Sequence, residues 1–143
     1  MLAEHIVNAD QFHLNIFNLL EQDGLAVHFF PTLYTFPFAV NRIFPEKLSA
    51  YLLDKFAPRN KVSNAKFPAY YRYCRGPTEK QISYFNNIGY DVLQYNGYFG
   101  HSGYYNKLPI IKYLHNYKSK ILLKYPNPHF TSFAIIILRK PKL

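Results

Sequence analysis

The first thirty residues contain an amphipathic segment that leads into an almost continuously apolar one. The apolar residues of the amphipathic segment recur at the spacing of one helical face: Phe12, Ile16, Leu19 and Leu20. This pattern predicts a helix with Asn8 as N-cap, Gln11 completing a capping box and Gly24 ending the helix in the left-handed conformation. Residues 25–30 then predict a strand buried on both faces, which is typical of parallel sheets covered by helices. The opening of the chain therefore predicts an α/β fold.

The second half of the chain again alternates helix and strand. A capping box at Thr78 and Gln81 predicts a helix that ends at Gly89, with an apolar stripe of Ile82, Phe85 and Ile88. Residues 90–95 predict a strand, and residues 131–138 predict a β-branched, continuously apolar one. Between these strands, Asn106 is expected to cap a helix with this buried stripe: Ile110, Leu114, Tyr117 and Ile121.

Composition agrees with one folded domain in a reducing compartment. The chain has 143 residues, enough for one domain, and a hydrophobic content of 49%, which argues against disorder. Its single cysteine, Cys74, excludes an internal disulfide. No signal peptide is recognisable, and the longest apolar run, residues 133–138, is too short to cross a bilayer. We therefore expect a cytoplasmic protein without a transmembrane segment.

The first stretch resembles the middle of class I S-adenosylmethionine-dependent methyltransferases. The resemblance is carried by Leu2-Ala3-Glu4-His5, by the helix ending in Leu19-Leu20, and by Gly24 before the apolar strand. In that family a Glu-His pair follows the fourth strand. Residues 25–30 would then be strand five and residues 90–95 strand six, and the last strand would run antiparallel between them. The resemblance thus implies the C-terminal half of a Rossmann-like sheet, strands five to seven, with helices on its faces.

The same resemblance implies a cofactor and a set of site residues. The cofactor would be S-adenosylmethionine, and the reaction would be methyl transfer to a small-molecule acceptor. Glu4 and His5 match the pair at the mouth of the cofactor cleft. His101, in the loop after strand six, is the candidate general base, because imidazole exchanges a proton near neutral pH. The candidate substrate-binding residues lie in the loops after strands five and six: Tyr34, Arg42, Tyr98 and Tyr104.

A small helical insertion or lid is expected over about residues 31–76. Residues 31–38 hold three aromatic residues and two prolines, which either wall a substrate pocket or cover the core. A short helix is predicted between Pro45 and Pro58. Its apolar stripe consists of Leu48, Tyr51, Leu52 and Phe56.

The family's glycine-rich turn and the acidic residue after its second strand have no counterpart in this sequence. Gly97, Gly100 and Gly103 lie in a tyrosine-rich loop after a strand and match no nucleotide-binding fingerprint. The chain is therefore interpreted as a single, incomplete methyltransferase-like domain over residues 1–143, from a truncated gene model or a split gene. A missing N-terminal half is an expected partner, and the chain alone is expected to be inactive.

A net charge of +9 supports an alternative, a non-catalytic basic module that binds RNA or an acidic surface. Aromatic residues alternate with arginines in residues 70–75, as in platforms that stack bases, although this run serves equally well as an insertion packed over the sheet. Residues 107–124 form a lysine-rich amphipathic segment of the kind that lies on anionic membranes. Nucleic acid is the less favoured partner, because a missing half would add its own charges. A degenerate fragment without activity is a third interpretation.

Other chemistries lack the residues they need. The eight carboxylates form no tight cluster for a hard cation, and the six histidines are scattered. Cys74 lies between two arginines but has no histidine partner at a recognisable spacing, so neither a metal site nor a nucleophilic cysteine is expected. A serine nucleophile elbow and a phosphate-binding loop are absent from the sequence.

Overall fold

The computed structural model describes residues 2–32 and 68–142. Within these residues the main elements are α1 (Ala9–Leu19), β1 (Leu25–Pro31), α2 (Glu79–Ile88), β2 (Asp91–Tyr98), α3 (Pro109–Lys124) and β3 (Phe133–Arg139). Short 3-10 helices occupy Ala3–His5, Ser102–Tyr105 and Pro128–Phe130. The predicted α/β class is therefore confirmed. Tyr34, Arg42, the helix predicted between Pro45 and Pro58, and most of the proposed lid lie outside the described residues.

The three strands form one sheet in the order β1-β3-β2. β3 runs antiparallel to both neighbours, and its Ala134 is the register partner of Phe30 on one side and of Gly97 on the other. An irregularity between Val92 and Gln94 shifts the register of β2 by one residue. Because β1 and β2 are both antiparallel to β3, they are parallel to each other. The predicted antiparallel, central position of the last strand is confirmed.

One face of this sheet carries the hydrophobic core. Alternate side chains of β1 and β3 point into it, and α1 and α2 cover it with aromatic side chains such as Phe17 and Phe85. The buried cluster consists of Ala26, Phe30, Tyr71, Cys74, Phe85, Tyr90, Ala134, Ile136 and Leu138. Two of its members come from the loop before α2, which fixes that loop against the sheet.

The opposite face of β1 is exposed, so the prediction of a strand buried on both faces is wrong for this strand. Leu25, Val27 and Phe29 are all exposed there, and Phe29 stacks on Phe133 with ring centroids 5.6 Å apart. Among the described residues β1 pairs only with β3, so its outer edge carries no strand. β1 thus has more apolar surface than the described part of the chain covers.

Local sequence signals place most of the helix ends. The side chains of Asn8 and Thr78 accept hydrogen bonds from the backbone of Gln11 and Gln81, and Gly89 ends α2 at φ 114°. The predicted end of α1 is wrong, because Leu20 caps the helix in an extended conformation, and Leu19 is exposed. The left-handed residue is Asp23, at φ 60°. The Gln11 side-chain amide donates to Asn15 over 2.7 Å.

The predicted orientation of α3 is also wrong. The helix begins after Leu108, two residues beyond the expected cap at Asn106. Its four predicted stripe residues, Ile110, Leu114, Tyr117 and Ile121, are exposed, whereas His115 and Leu122 are buried. The polar side of α3 faces inward because His115 and Ser119 bond to groups of the preceding segment. Neither α3 nor any other helix within the described ranges has the length and apolar content to cross a membrane.

Candidate functional site

The loop over residues 68–78 lies at the carboxyl end of β2. A Cβ atom on Gly97, near that end, would overlap Thr131 and lie 3.1 Å from Pro77. The Tyr95 hydroxyl also donates to the Arg75 carbonyl over 2.8 Å. Since α1 and α2 each lead back to the start of the following strand, both helices begin at this edge of the sheet. In open α/β sheets, ligands bind outside this edge.

Buried hydroxyl groups tie the three strand ends together. Thr32 donates its hydroxyl to the Thr131 carbonyl, and its backbone N–H donates to the Ser132 carbonyl over 3.0 Å. Ser132 in turn donates its N–H to Tyr98 over 2.6 Å and its hydroxyl to Phe99 over 3.0 Å. These bonds satisfy backbone groups where the sheet ladder ends. The edge is thus a fixed scaffold for neighbouring side chains.

Glu4 is a buried carboxylate next to the 68–78 loop. Its carbonyl accepts hydrogen bonds from the N–H groups of Tyr70 and Tyr71, and the neighbouring His5 ring donates to the Pro68 carbonyl over 2.6 Å. Glu4 is 6% exposed, and its Oε1 lies 3.8 Å from His5 Nε2. Within residues 2–32 and 68–142, Glu4 Oε2 has no hydrogen-bond partner. A carboxylate oxygen buried in this way is costly, and it is able to accept a hydrogen bond from a ligand.

The Tyr70–Arg75 run packs against the sheet. Tyr71 and Tyr73 adopt left-handed conformations, at φ 51° and 56°, which are strained for bulky side chains. These angles turn Tyr71 and Cys74 into the core, while the Tyr73 ring stacks on Tyr84 with centroids 3.6 Å apart. The core position of Tyr71 is incompatible with base stacking. Burial, followed by the Glu4 charge, raises the pKa of Cys74 to about 12, so its thiolate does not form near neutral pH.

A cleft of about 1260 Å³ opens between this loop and the start of α2. Arginine and lysine side chains at positions 72, 75 and 80 line it together with Asp10, Glu79 and the stacked tyrosines. Gln81 is 5% exposed, and its amide nitrogen has no hydrogen-bond partner among the described residues. An unused donor at a helix N-terminus favours a negatively charged or strongly accepting group. The cleft is therefore suited to a polar small molecule with a planar or apolar part.

The sequence does not predict this cleft. It predicts only a capping-box role for Gln81 and no role for Tyr84. The two residues are three positions apart on α2 and therefore lie on the same side of the helix. This spacing can be read from the sequence. The proximity of Asp10 and Tyr73 depends on the loop conformation and carries no sequence signal.

The structure places His101 in a buried cluster with His115, Tyr105 and Ser132. Its Nδ1 is 2.5 Å from the Ser132 hydroxyl, its Nε2 is 3.1 Å from the Tyr105 hydroxyl, and its backbone N–H donates to His115 Nε2. Burial first, then His115 and Lys118, lowers the pKa of His101 to about 3, which keeps the ring neutral at physiological pH. His101 does not belong to the residues that line the cleft. Its role as general base stays a prediction.

The predicted substrate-binding residues are described only in part. Tyr98 ends β2 with its side chain exposed. Tyr104 lies in the following 3-10 helix, but its side chain is not among the described features. Tyr34 and Arg42 fall in the range that the structure does not describe. Their assignment to the acceptor stays a prediction.

A second histidine pair lies between α1 and β1. His13 is buried, and its ring centroid lies 5.1 Å from that of His28 and 5.0 Å from that of Phe85. Burial first, then the His28 charge, lowers the pKa of His13 to about 4, against an opposing effect of Asp10. Burial also lowers the pKa of His28. Both histidines are therefore neutral in the folded protein near pH 7.

This pair makes folding stability depend on pH. Between pH 6.5 and about 4, His13 binds a proton in the unfolded chain but not in the folded one, so stability falls as the pH falls. We expect His13 to contribute a loss of about 2 kcal/mol between pH 7 and pH 5. Urea denaturation of the wild type and of His13→Leu at both pH values measures this loss. The variant should lose less stability, and an equal loss in both proteins would contradict the assignment.

Within the described ranges, no group of three histidine, cysteine or acidic side chains is arranged to hold a metal ion. A comparison with protein-family models gives no match, and no curated protein is significantly similar to the chain.

Proposed function

We propose that this chain transfers a methyl group from S-adenosylmethionine to a small-molecule acceptor as the C-terminal part of a fuller domain. The observation that supports this proposal most strongly is the sheet, in which β3 runs antiparallel between the mutually parallel β1 and β2. The methyltransferase resemblance implies this order for strands five, seven and six. The strand order does not depend on the residues that carry the resemblance, so it supports the resemblance independently of them.

The exposed side of β1 supports the idea of a fuller domain. Its outer edge has no partner strand among the described residues, and Leu25, Val27 and Phe29 expose a row of apolar side chains. Unpaired edges and exposed apolar sheet faces are unfavourable in isolation. Further strands and helices of the same domain would cover both features. The proposed N-terminal half therefore belongs next to β1.

Glu4 fits the cofactor that the resemblance implies. Its buried Oε2 is able to accept a hydrogen bond from a hydroxyl or ammonium group, both of which S-adenosylmethionine carries. When bound, the cofactor supplies a methyl group on a positively charged sulfonium. The residues of this chain would orient the ligands and exclude water, and such alignment lowers the barrier to a two-reactant transfer. His5, which is hydrogen-bonded to the Pro68 carbonyl, would hold the 3-10 helix that carries Glu4 in place.

The cleft next to α2 is the proposed acceptor site. The stacked Tyr73 and Tyr84 rings offer an apolar wall, and the Gln81 amide offers a donor. Arg72 and Lys80 lie at the same opening and favour an acceptor that carries a negative group. The strained loop that positions Tyr73 is consistent with a binding role.

Replacing Glu4 with glutamine tests the cofactor assignment. In the fuller domain we expect Glu4→Gln to weaken S-adenosylmethionine binding about tenfold or more, because a hydrogen bond to a charged acceptor is lost. The free energy of unfolding should stay equal or rise, since the buried Oε2 has no hydrogen-bond partner among the described residues that the variant would lose. Calorimetric titration and urea denaturation give the two quantities. Glu21→Gln, at an exposed position, is the matched control, and unchanged affinity in Glu4→Gln would contradict the assignment.

A further inference from the structure

The outward face of α3 is apolar along its whole length. Its inward face is fixed by hydrogen bonds, in which His115 Nε2 accepts from the His101 N–H over 3.1 Å and Ser119 donates to the Phe99 carbonyl over 3.0 Å.

The apolar stripe on the outward face has a residue every three or four positions. The exposed fractions of its side chains are 75% at Ile110, 59% at Leu114, 60% at Tyr117 and 45% at Ile121. Tyr113 and Tyr125 are exposed beside it. Contiguous apolar surface of this kind marks an interaction site.

Lysines border this stripe on both sides. At about 100° per residue, Lys118 lies roughly 70° to one side of the stripe and Lys124 roughly 50° to the other. Lys120 lies beyond Lys124, and all three side chains are exposed. Residues 92–143 contain eight lysines and arginines and no aspartate or glutamate. The face is therefore apolar at its centre and positively charged at its margins.

We propose that α3 is an interfacial helix that binds this chain to the surface of a bilayer containing anionic lipids. An apolar stripe enters the boundary between headgroups and acyl chains, and flanking lysines contact the lipid phosphates. Tyrosines suit that depth because their rings are apolar and their hydroxyls reach water. The helix lies on the bilayer and does not span it.

Three other occupants fit this face less well than a bilayer does. Ile110, Leu114 and Ile121 neither stack on bases nor bond to phosphates, so a nucleic acid would leave the centre of the face exposed. A second copy of α3 would bring lysines against lysines, with no acidic residue on the helix to pair with them. The proposed N-terminal half belongs next to β1, at one edge of the sheet. The strand that leads into α3 is β2, at the opposite edge, so this half is not expected to cover the α3 face.

The test is flotation of the chain with vesicles of phosphatidylcholine, with and without phosphatidylglycerol. We expect binding to the anionic vesicles, at least tenfold weaker binding to the neutral ones, and a further weakening as salt is raised. Leu114→Asp should lower the partition coefficient at least tenfold, and Lys118→Glu about fivefold or more. Leu19→Asp makes the same change of charge at an exposed leucine of α1, 84% exposed, and is the control for Leu114→Asp. Circular dichroism checks that each variant keeps its helix content.

Three results would overturn the proposal. The first is equal binding of Leu114→Asp and Leu19→Asp to the vesicles. This result would show that the weaker binding comes from the change in net charge and not from the apolar stripe. The second is binding to a short single-stranded RNA without binding to anionic vesicles, which would assign the lysines to nucleic acid. The third is a dimer that Leu114→Asp dissociates in the absence of lipid, which would assign the stripe to a second copy of the chain.

Discussion

Replacing Gly76 with alanine is expected to destabilise the fold by about 3 kcal/mol or more. A Cβ atom at this position would overlap the Pro128 carbonyl oxygen and lie 2.5 Å from the Thr131 hydroxyl. The nearest obstacle is backbone, so no side-chain rotation relieves the overlap. The 68–78 loop would have to move off the 3-10 helix at Pro128–Phe130. The cleft next to α2 would lose its shape together with the stability.

The measurement is urea denaturation of Gly76→Ala beside Gly100→Ala. A Cβ atom on Gly100 would meet nothing within 4 Å, so this control changes the same residue type without a clash. We expect the control to stay within about 0.5 kcal/mol of the wild type. Equal stability of the two variants would show that the 68–78 loop does not pack on Pro128.

Phe85→Ala is expected to cost about 3–5 kcal/mol, a large part of the stability of a small domain. Phe85 is fully buried between α2 and the sheet, and its ring lies 5.0 Å from the rings of both His13 and Tyr84. Removing it leaves a cavity where α1, α2 and the 68–78 loop meet. The loss comes from both the transfer of apolar surface and the lost packing contacts.

Phe130→Ala is the matched control, because that phenylalanine is largely exposed in a 3-10 helix. We expect it to cost less than about 1 kcal/mol. Thermal or urea unfolding of both variants gives the comparison. A loss at Phe130 as large as the loss at Phe85 would place the core elsewhere than on the α1 and α2 face.

The sequence predicted those parts of the fold that depend on local signals. Asn8, Thr78 and Gly89 act through bonds or backbone angles within a few residues, and each occupies its predicted cap position. The place of β3 followed from its continuous apolar character together with the methyltransferase resemblance. These predictions required no knowledge of distant contacts.

The predictions that failed depend on which surface the rest of the protein covers. Apolar periodicity identified the stripe on α3 correctly but not the side of the helix that faces the protein. Hydrogen bonds of His115 and Ser119 to the preceding segment fix that side, and the stripe faces outward. The same holds for β1, whose second apolar face is exposed among the described residues. Periodicity shows that a surface is apolar, but it does not show what lies against it.

The candidate site was less predictable than the fold. The Glu4 carboxylate was found through the resemblance, but its burial and its unpartnered oxygen follow from the loop that carries Tyr70 and Tyr71. That loop depends on left-handed angles at Tyr71 and Tyr73, which bulky residues rarely adopt. His101 has the residue type of a base, but its buried, hydrogen-bonded position could not be read from the sequence.

The most direct test of the methyltransferase proposal is S-adenosylmethionine binding by the 143-residue chain and by the same chain extended with the sequence encoded directly upstream of Met1. We predict that the upstream sequence encodes a glycine-rich strand-turn-helix followed by an acidic residue at a strand end. Calorimetric titration should show binding to the extended chain and none to the 143-residue chain. An extended chain that folds but does not bind the cofactor, or a 143-residue chain that binds and methylates alone, would contradict this account.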